Sequence, residues 1–508
     1  MEEKTSILDL EVSLCGRRKI FTTSDEITAD NVVSVLNLVL SYHIQNLLQE
    51  EYLYWYRRGI QPILLRKKEI RPEICNKTVI NNANQICVFK NGYFMTAPAS
   101  YSSRVDDETI TEKVKQFNDF CTVAQKPIVD NELVDWFHTT GLGVLYVEPD
   151  RDGNKRKPIC VSALDPRSAF VVYSLRPGNP AVMGVNMVAA EGKLYFDVFT
   201  RDRVYKIEGG YTGRLITNRP IEGTAITIIS EEANIIGEIP IIEYQYDNNR
   251  MSCFEVAIPI MDEINNLTSN LADGIEQQIQ QLCVAYNCNF DEGTTANDIR
   301  AAGMLVLRSQ GDNKADFKIL ESKLSQAETQ TNIDALYTQL LDKTGLPSIN
   351  RNEGGSSDNG SAVYLKSGYT IADTTRRNTE DCWRKSDEQF KKVALAILNR
   401  TGFGLEPEDM ELNIEPPTMS NLLVKTQAAL NMRELGLAPE IWLERSGLSN
   451  DPLLDIELSK DYIYEFYGAE EASIEENPDE TPEEQVEQEG EALADDRQIE
   501  ELSSYELD

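Results

Sequence analysis

Apolar residues recur along this chain with two different periods, and the change from one to the other divides it into regions. From Asn31 to about Tyr56, apolar positions step through a polar background of Asn31, Ser34, Asn37, Ser41, His43, Gln45 and Asn46. That pattern predicts an amphipathic helix, capped at Ser24 or Thr28 and ended near Arg57-Arg58-Gly59 ahead of Pro62. A second helix is expected over Asn81–Tyr93, closed by Asn91-Gly92 through a left-handed turn. Glu108–Thr140 reads as helical. From Gly143 the apolar residues alternate, which predicts strands at Val144–Glu148, Ile159–Ala163, Phe170–Tyr173, Val182–Val188, Leu194–Thr200, Val204–Glu208 and Ile226–Ile229. Asp152-Gly153 marks a hairpin turn between the first two.

The helical period then returns. Ile260, Ile264, Leu267, Leu271, Ile275, Ile279 and Leu282 share one face of a helix expected over Cys253–Cys283, about 45 Å long. The opposite face carries Asp262, Asn265, Asn266, Asn270, Asp273, Gln277, Gln278 and Gln281, and no basic residue. A small αβ insert follows, with strands at Val284–Phe290, Met304–Leu307 and Phe317–Leu320 and a short helix at Thr295–Ala302. Gln326–Thr344 is a further helix with Ile333, Leu336, Tyr337, Leu340 and Leu341 on one side, terminated by Gly345-Leu346-Pro347. Two long helices thus bracket a small head. A polar loop runs to Gly360, and Ala362–Arg400 reads as a long helix ended by Thr401-Gly402-Phe403-Gly404. Three shorter helices are expected at Asn421–Leu435, Pro439–Ser446 and Asp451–Phe466. The predicted class is α+β, mainly α.

Composition changes this picture in one respect. The chain has 508 residues, 41% hydrophobic and 26% charged, which is ordinary globular usage, but its net charge is −35. Glu470–Asp508 holds about 17 acidic residues against Arg497 alone, leaving the body near −19. This tail is too poor in apolar residues to offset its ordering entropy and is expected to be disordered. An acidic body argues against an adhesive DNA binder, whose affinity comes from Lys and Arg on phosphates. The basic stretch Gln61–Arg71 reads as a solvated surface loop rather than a nucleic-acid patch. Nine scattered cysteines without a CxxC pair suggest reduced thiols. His43 and His138 lack metal-ligand partners at useful spacing and read as structural. The start Met1-Glu2-Glu3-Lys4 does not resemble a signal peptide, and Asn31–Leu48 is too polar to span a bilayer, so no membrane association is expected.

Catalytic motifs are missing. The sequence has no GxxxxGK[ST], HExxH or GxSxG, and Gly141-Leu142-Gly143 precedes a strand, the wrong order for a dinucleotide loop. No catalytic residue, metal or cofactor is therefore assigned.

Several segments in order resemble the portal proteins of tailed bacteriophages, in particular the group like the portal of Bacillus phage SPP1. They are Tyr56-Arg57-Arg58-Gly59 with Pro62-Ile63-Leu64, Asn81–Ile86 through Gly92-Tyr93 and Pro98, Gly141–Tyr146, and Leu164-Asp165-Pro166-Arg167. Gly237-Glu238-Ile239-Pro240-Ile241-Ile242-Glu243-Tyr244 is the most specific string, followed by Phe254-Glu255, Ile260-Met261-Asp262 and Leu267, and later by Ser446–Pro452. The resemblance covers Tyr52 to Tyr467. It implies N-terminal helices and a β-rich wing over 1–252, stem helices at 253–283 and 326–344, and a clip at 284–325. It further implies a tunnel loop at 345–361, a long wing helix at 362–404 and a helical crown at 405–468, ahead of the acidic tail at 469–508.

The function implied is a non-enzymatic ring of about twelve copies at one capsid vertex of the virion, assembled in the host cytoplasm. It would pass double-stranded DNA during packaging and ejection. Its partners would be the large terminase ATPase, the major capsid and scaffolding proteins, and head-completion or adaptor proteins. Asn350, Arg351 and Asn352 are the candidate DNA-facing residues, with Gly354, Gly355 and Gly360 giving the loop mobility; Arg351 could equally pair with a neighbouring carboxylate. A DNA-processing enzyme such as a metal-dependent nuclease, or a minor capsid or adaptor protein, is the alternative. The tail would be a solubilising segment or a tether for another head protein.

Overall fold

The amphipathic run near the start of the chain becomes α1 (Val32–Arg57), which buries Val32, Val35, Leu36, Val39 and Leu40. It begins after Asn31, later than the expected caps. Asn31 Oδ1 accepts from the Thr28 amide at 2.8 Å, so the preceding residues form a side-chain-bonded turn instead of a first helical turn. The computed structural model describes residues 14–69, 72–105, 107–190, 193–210, 226–279, 282–286, 288–289, 308–309, 316–320, 326–347, 368–415 and 422–449, with isolated positions to 459. It divides into two units, 1–419 and 420–508.

In the first unit α1 packs on a six-stranded sheet in the order β1 (Ile20–Thr22), β5 (Ala169–Ser174), β6 (Ala181–Ala190), β7 (Lys193–Phe199), β8 (Arg203–Gly210), β9 (Thr227–Ala233). Strand β1 is parallel to β5 and the remaining pairings are antiparallel. Alternation is visible in β7, where Leu194, Phe196 and Val198 are buried with the α1 residues. A second sheet has the order β10 (Ile241–Gln245), β3 (Leu142–Pro149), β4 (Ile159–Leu164). The two sheets meet through Val144, Ala169, Val171 and Ile241.

The far side of that second sheet supplies Leu145, Val147, Ile242 and Tyr244 to the largest core. Helices α2 (Asn82–Phe94), α3 (Glu108–Val123), α4 (Lys126–Thr140) and α7 (Tyr369–Asn399) complete it with Phe94, Phe117, Phe137, Trp383 and Phe390. A short pair, β2 (Ser100–Ser103) with β15 (Met410–Asn413), closes one side. The single helical run expected over 108–140 is broken by Gln125 at φ 62° followed by Pro127, whose ring forbids a continuous ladder. Helix α2 also departs from expectation: Gly92 lies inside it at ordinary helical φ, and the helix stops at Met95.

Buried charge is concentrated on α7. Asp387 accepts from the Tyr101 hydroxyl at 3.0 Å and the Tyr244 hydroxyl at 3.3 Å, and Lys126 lies 3.8 Å away. Lys126 also pairs with Asp130 at 2.7 Å. Burial pushes Asp130 up to about 6 despite Lys126, and raises Asp387 as well despite Lys126 and Lys391.

The expected helix over 253–283 is shorter at both ends. A single 3₁₀ turn at Glu255–Ala257 leads into α5 (Ile258–Ile279), about 33 Å long, because Leu282–Tyr286 is already strand β11. Strand β11 pairs antiparallel with β14 (Asp316–Leu320), and β12 (Cys288–Asn289) with β13 (Arg308–Ser309). The expected helix at 295–302 and strand at 304–307 lie outside the described residues. Helix α6 (Gln326–Thr344) has its expected limits. In the second unit α8 (Leu422–Glu434) and α9 (Pro439–Ser446) are linked where Lys425 Nζ donates to the Gly447 carbonyl at 2.6 Å. Of the expected helix at 451–466, Pro452, Leu454–Ile456, Leu458 and Ser459 are helical and the remainder lies outside the described residues.

The segment 247–252 ahead of α5 is clamped between two glycines. A Cβ on Gly16 (φ +82°) would meet the Asn249 carbonyl oxygen at 2.1 Å, and one on Gly141 (φ +92°) the Arg250 carbonyl oxygen at 2.2 Å. Beside the clamp, Arg17 and Glu255 form a fully buried ion pair at 2.7 Å. Arg17 also donates to the Thr140 carbonyl at 2.7 Å and to Gln49 Oε1 at 3.0 Å. Glu255 accepts from the Gly16 and Ser252 amides at 3.0 and 2.8 Å.

Gly141→Ala is expected to lower the unfolding free energy by about 2–4 kcal/mol, whereas Gly92→Ala, with open space around it, raises it by about 0.5–1 kcal/mol. Urea titrations of the two variants read both signs. Glu255→Ala strands a buried guanidinium and should cost about 3–5 kcal/mol in the same assay. Replacing both Arg17 and Glu255 by Met should recover part of that loss.

Candidate functional site: paired helices and the roots of a loop

Helix α5 spaces its apolar residues by three and four, and so presents one buried stripe. Ile258, Met261 and Ile264 meet Ile333 and Leu340 of α6, with Leu336, Tyr337 and Leu341 at the margin. Leu53 and Tyr56 of α1, Ala83 and Ile86 of α2, and Phe254 seal the base of this pair. The two long helices expected from the sequence therefore pack on each other.

The polar face of α5 is partly covered: Asn265, Ser269 and Asp273 are buried, whereas Asn266 and Asn270 stay exposed. Residues 61–69 and 72–80 lie across it as a strap. The Ile80 amide donates to Asn265 Oδ1 at 2.9 Å, the Thr78 amide to Ser269 Oγ at 3.0 Å, and the Asn76 amide to Asp273 Oδ1 at 2.7 Å. Two residues of extended chain rise about 6.6 Å and four residues of helix about 6.0 Å, so successive outward amides meet side chains four apart on the helix. Asn265 and Ser269 are buried. Asn265 also donates to Gln61 Oε1 at 2.6 Å, and Asp262 accepts from the Tyr56 hydroxyl at 2.8 Å.

The basic stretch at 61–71 was expected as a solvated loop; its residues 61–69 belong to this strap, and 70–71 lie outside the described residues. Arg66 pairs with Asp273 at 3.1 Å and donates to Asn270, and Lys68 pairs with Asp273 as well. Burial would raise the Asp273 carboxyl, but the bonds from Lys68 and Asn76 outweigh it and hold the carboxyl below the usual range. The signal in the sequence was the Asn265, Ser269, Asp273 stripe, whose spacing of four matches a chain laid along a helix.

The second helix ends in a tight turn. Gly345 takes φ +67°, the Leu346 amide donates to the Leu341 carbonyl at 3.0 Å, and Leu346 is buried. A Cβ on Gly345 would lie 3.2 Å from Thr375 of α7. Gly368, at φ +79°, starts α7, and the Tyr93 hydroxyl donates to Asp373 at 2.6 Å in its first turns. The chain thus leaves α6 and enters α7 at one place in the fold. The candidate residues Asn350, Arg351, Asn352, Gly354, Gly355 and Gly360 lie outside the described residues.

His43 stacks on Phe170 at 4.1 Å and meets the Arg167 carbonyl at 3.0 Å; burial lowers its pKa to about 4. His138 lies 2.7 Å from Asn91 Oδ1, and its pKa is likewise held down by burial. Gly141 and Gly143 of the Gly-rich fragment serve close packing, since a Cβ on Gly143 would meet the Leu133 carbonyl oxygen at 2.8 Å. Among the described residues no three His, Cys, Asp or Glu side chains converge to hold a metal, and no helix is long and apolar enough to cross a membrane.

Residues 42–460 match the family of phage portal proteins described as SPP1 Gp6-like, and the chain belongs to that family. A search of curated proteins finds no match. The family is structural rather than enzymatic, and membership implies a homo-oligomeric ring at the virion capsid vertex that interacts with capsid and terminase.

Asp273→Ala should release the strap, exposing Lys67, Lys68 and Lys77 to limited trypsin digestion well before the wild-type chain is cut, with about 1–3 kcal/mol of stability lost. A carboxyl whose folded pKa is depressed stabilises above its unfolded value near 3.9 and loses that contribution as pH falls through the folded value. The Asp273→Asn chain should therefore show a shallower loss of stability below about pH 4 than the wild type.

Proposed function

We propose that copies of this chain form the ring-shaped conduit for double-stranded DNA at one capsid vertex, used for packaging and again for ejection. The observation that carries this reading is the family match across 42–460. The packing of α5 on α6 supports it, since these would be the stem. On the same reading residues 284–325 would be the clip, 345–361 the tunnel loop, 362–404 the long wing helix and 405–468 the crown. Stem and clip would dock the large terminase ATPase during packaging and head-completion proteins afterwards, while the wing would face the major capsid and scaffolding proteins. The ring would hold about twelve copies and assemble in the host cytoplasm.

The net charge of −35 fits a passage better than a grip. Cationic walls would bind phosphates through counterion release and stall the polymer, whereas negative walls keep it near the axis. Contact is then left to a few groups on the loop, with Arg351 as the basic candidate and Asn350 and Asn352 beside it. The acidic residues after 469 would keep the assembly soluble or tether another head protein.

Purified protein imaged in negative stain should show rings with a central hole; a persistent monomer would remove the conduit reading. In phage heads assembled with Arg351→Glu, packaged DNA should be shorter than wild type. Full-length genomes in those heads would eliminate the Arg351 contact while leaving the ring intact.

A further inference from the structure

The connection between β3 and β4 runs against the charge of the rest of the chain. Acidic side chains outnumber basic ones 84 to 49 overall, yet Asp150–Pro158 holds Arg151, Lys155, Arg156 and Lys157 against Asp150 and Asp152. Asp150 is occupied by the loop itself, accepting from the Asn154 amide at 2.9 Å. Arg151 reaches back to Glu148 at 3.0 Å. Among the described residues no carboxylate forms an ion pair with Lys155, Arg156, Lys157 or, close by at the end of α7, Arg400.

Of these cations Lys155 and Arg400 line a pocket of about 280 Å³, and Arg156 and Lys157 follow Lys155 in the same loop. The pocket's apolar walls are Pro149, Pro158, Ile235, Ile236 and Ile397; Lys155 and Arg400 also line it, together with Asn154, Thr401 and Asp150, whose carboxylate already accepts from the Asn154 amide. Ile397 belongs to the main core, so the floor is rigid, while Ile235 is 58% exposed at the mouth. An apolar cavity with an unpaired cationic rim has a definite complement: an aliphatic anchor carried in an acidic sequence.

We propose that this pocket binds an acidic peptide segment of another protein, seating one or two aliphatic side chains while its carboxylates meet Lys155, Arg156, Lys157 and Arg400. A nucleic acid would satisfy the cations but offers nothing to fill an aliphatic cavity, and it would approach an otherwise acidic surface. The pocket and the cations together favour the peptide. This inference does not depend on the conduit reading, since none of its residues belongs to the loop at 345–361.

The test uses the full chain and a fluorescent peptide of glutamates around a central Ile-Leu pair, followed by anisotropy. The wild type should bind it, more weakly as salt is raised. The triple variant Lys155→Glu/Arg156→Glu/Lys157→Glu and, separately, Ile235→Asp should each weaken binding about tenfold or more. A peptide with Ser in place of Ile-Leu should bind the wild type as weakly as the Ile235→Asp variant binds the original. Unchanged thermal midpoints would establish that these surface substitutions leave the fold intact.

Failure of the wild type to bind, or equal binding by the variants, would overturn the proposal. So would a short DNA duplex that binds more tightly than the peptide and ignores Ile235→Asp, which would make the rim a phosphate contact. Loss of self-association in the triple variant without any peptide would instead assign the pocket to a second copy of the chain.

Discussion

The Arg17–Glu255 ion pair is the constraint on which the rest of the first unit depends. It is buried completely, and it persists because each nitrogen of Arg17 and each carboxylate oxygen of Glu255 has a partner. Those partners come from the N-terminal segment, α1, the end of α4 and the turn before α5. A single ionic centre therefore fixes where four parts of the chain meet and the point from which α5 departs. Gly16 and Gly141 make the approach possible, because any side chain at either would collide with the backbone of 249–251.

From that point outward, polar groups decide orientation and apolar groups supply adhesion. The stripe shared by α5 and α6 holds the helices together, but a stripe of aliphatic residues tolerates rotation. The strap at 61–80 removes that freedom through directional bonds to Asn265, Ser269 and Asp273. On α7 the same division recurs: Trp383 and Phe390 bind it into the core, and Asp387 with Tyr101, Tyr244 and Lys126 sets its rotation.

Much of this was legible in the sequence. Periodicity located β3 to β9 and the limits of α6, because those segments bury one face and nothing competes with that demand. The strands β1, β2, β10 and β15 went unseen: three to five residues carry too little alternation, and their pairing is decided by distant partners. The helix over 253–283 was read too long, since Ile279 and Leu282 continue the helical spacing while the backbone has already turned into β11. Gly92 was given a stop-signal role that Met95 fills without a left-handed residue. The basic stretch at 61–71 was misread for a general reason. Solvated and internally bonded polar residues look alike in one dimension, and only the facing helix α5 distinguishes them. The candidate loop residues were named from composition and resemblance, and they lie outside the described residues.

The strap also has a mechanical meaning. Three bonds spread over about 12 Å of helix pin α5 against turning about its own axis, since rotation by even one residue would break all three together. Sliding is equally restricted, because the next equivalent register lies four residues away. Helix α5 is thus keyed to the body like a shaft. A twist applied at its outer end, where β11 begins, is delivered as torque to residues 61–80 and, through Tyr56, to α1, instead of being lost as slip along a greasy interface.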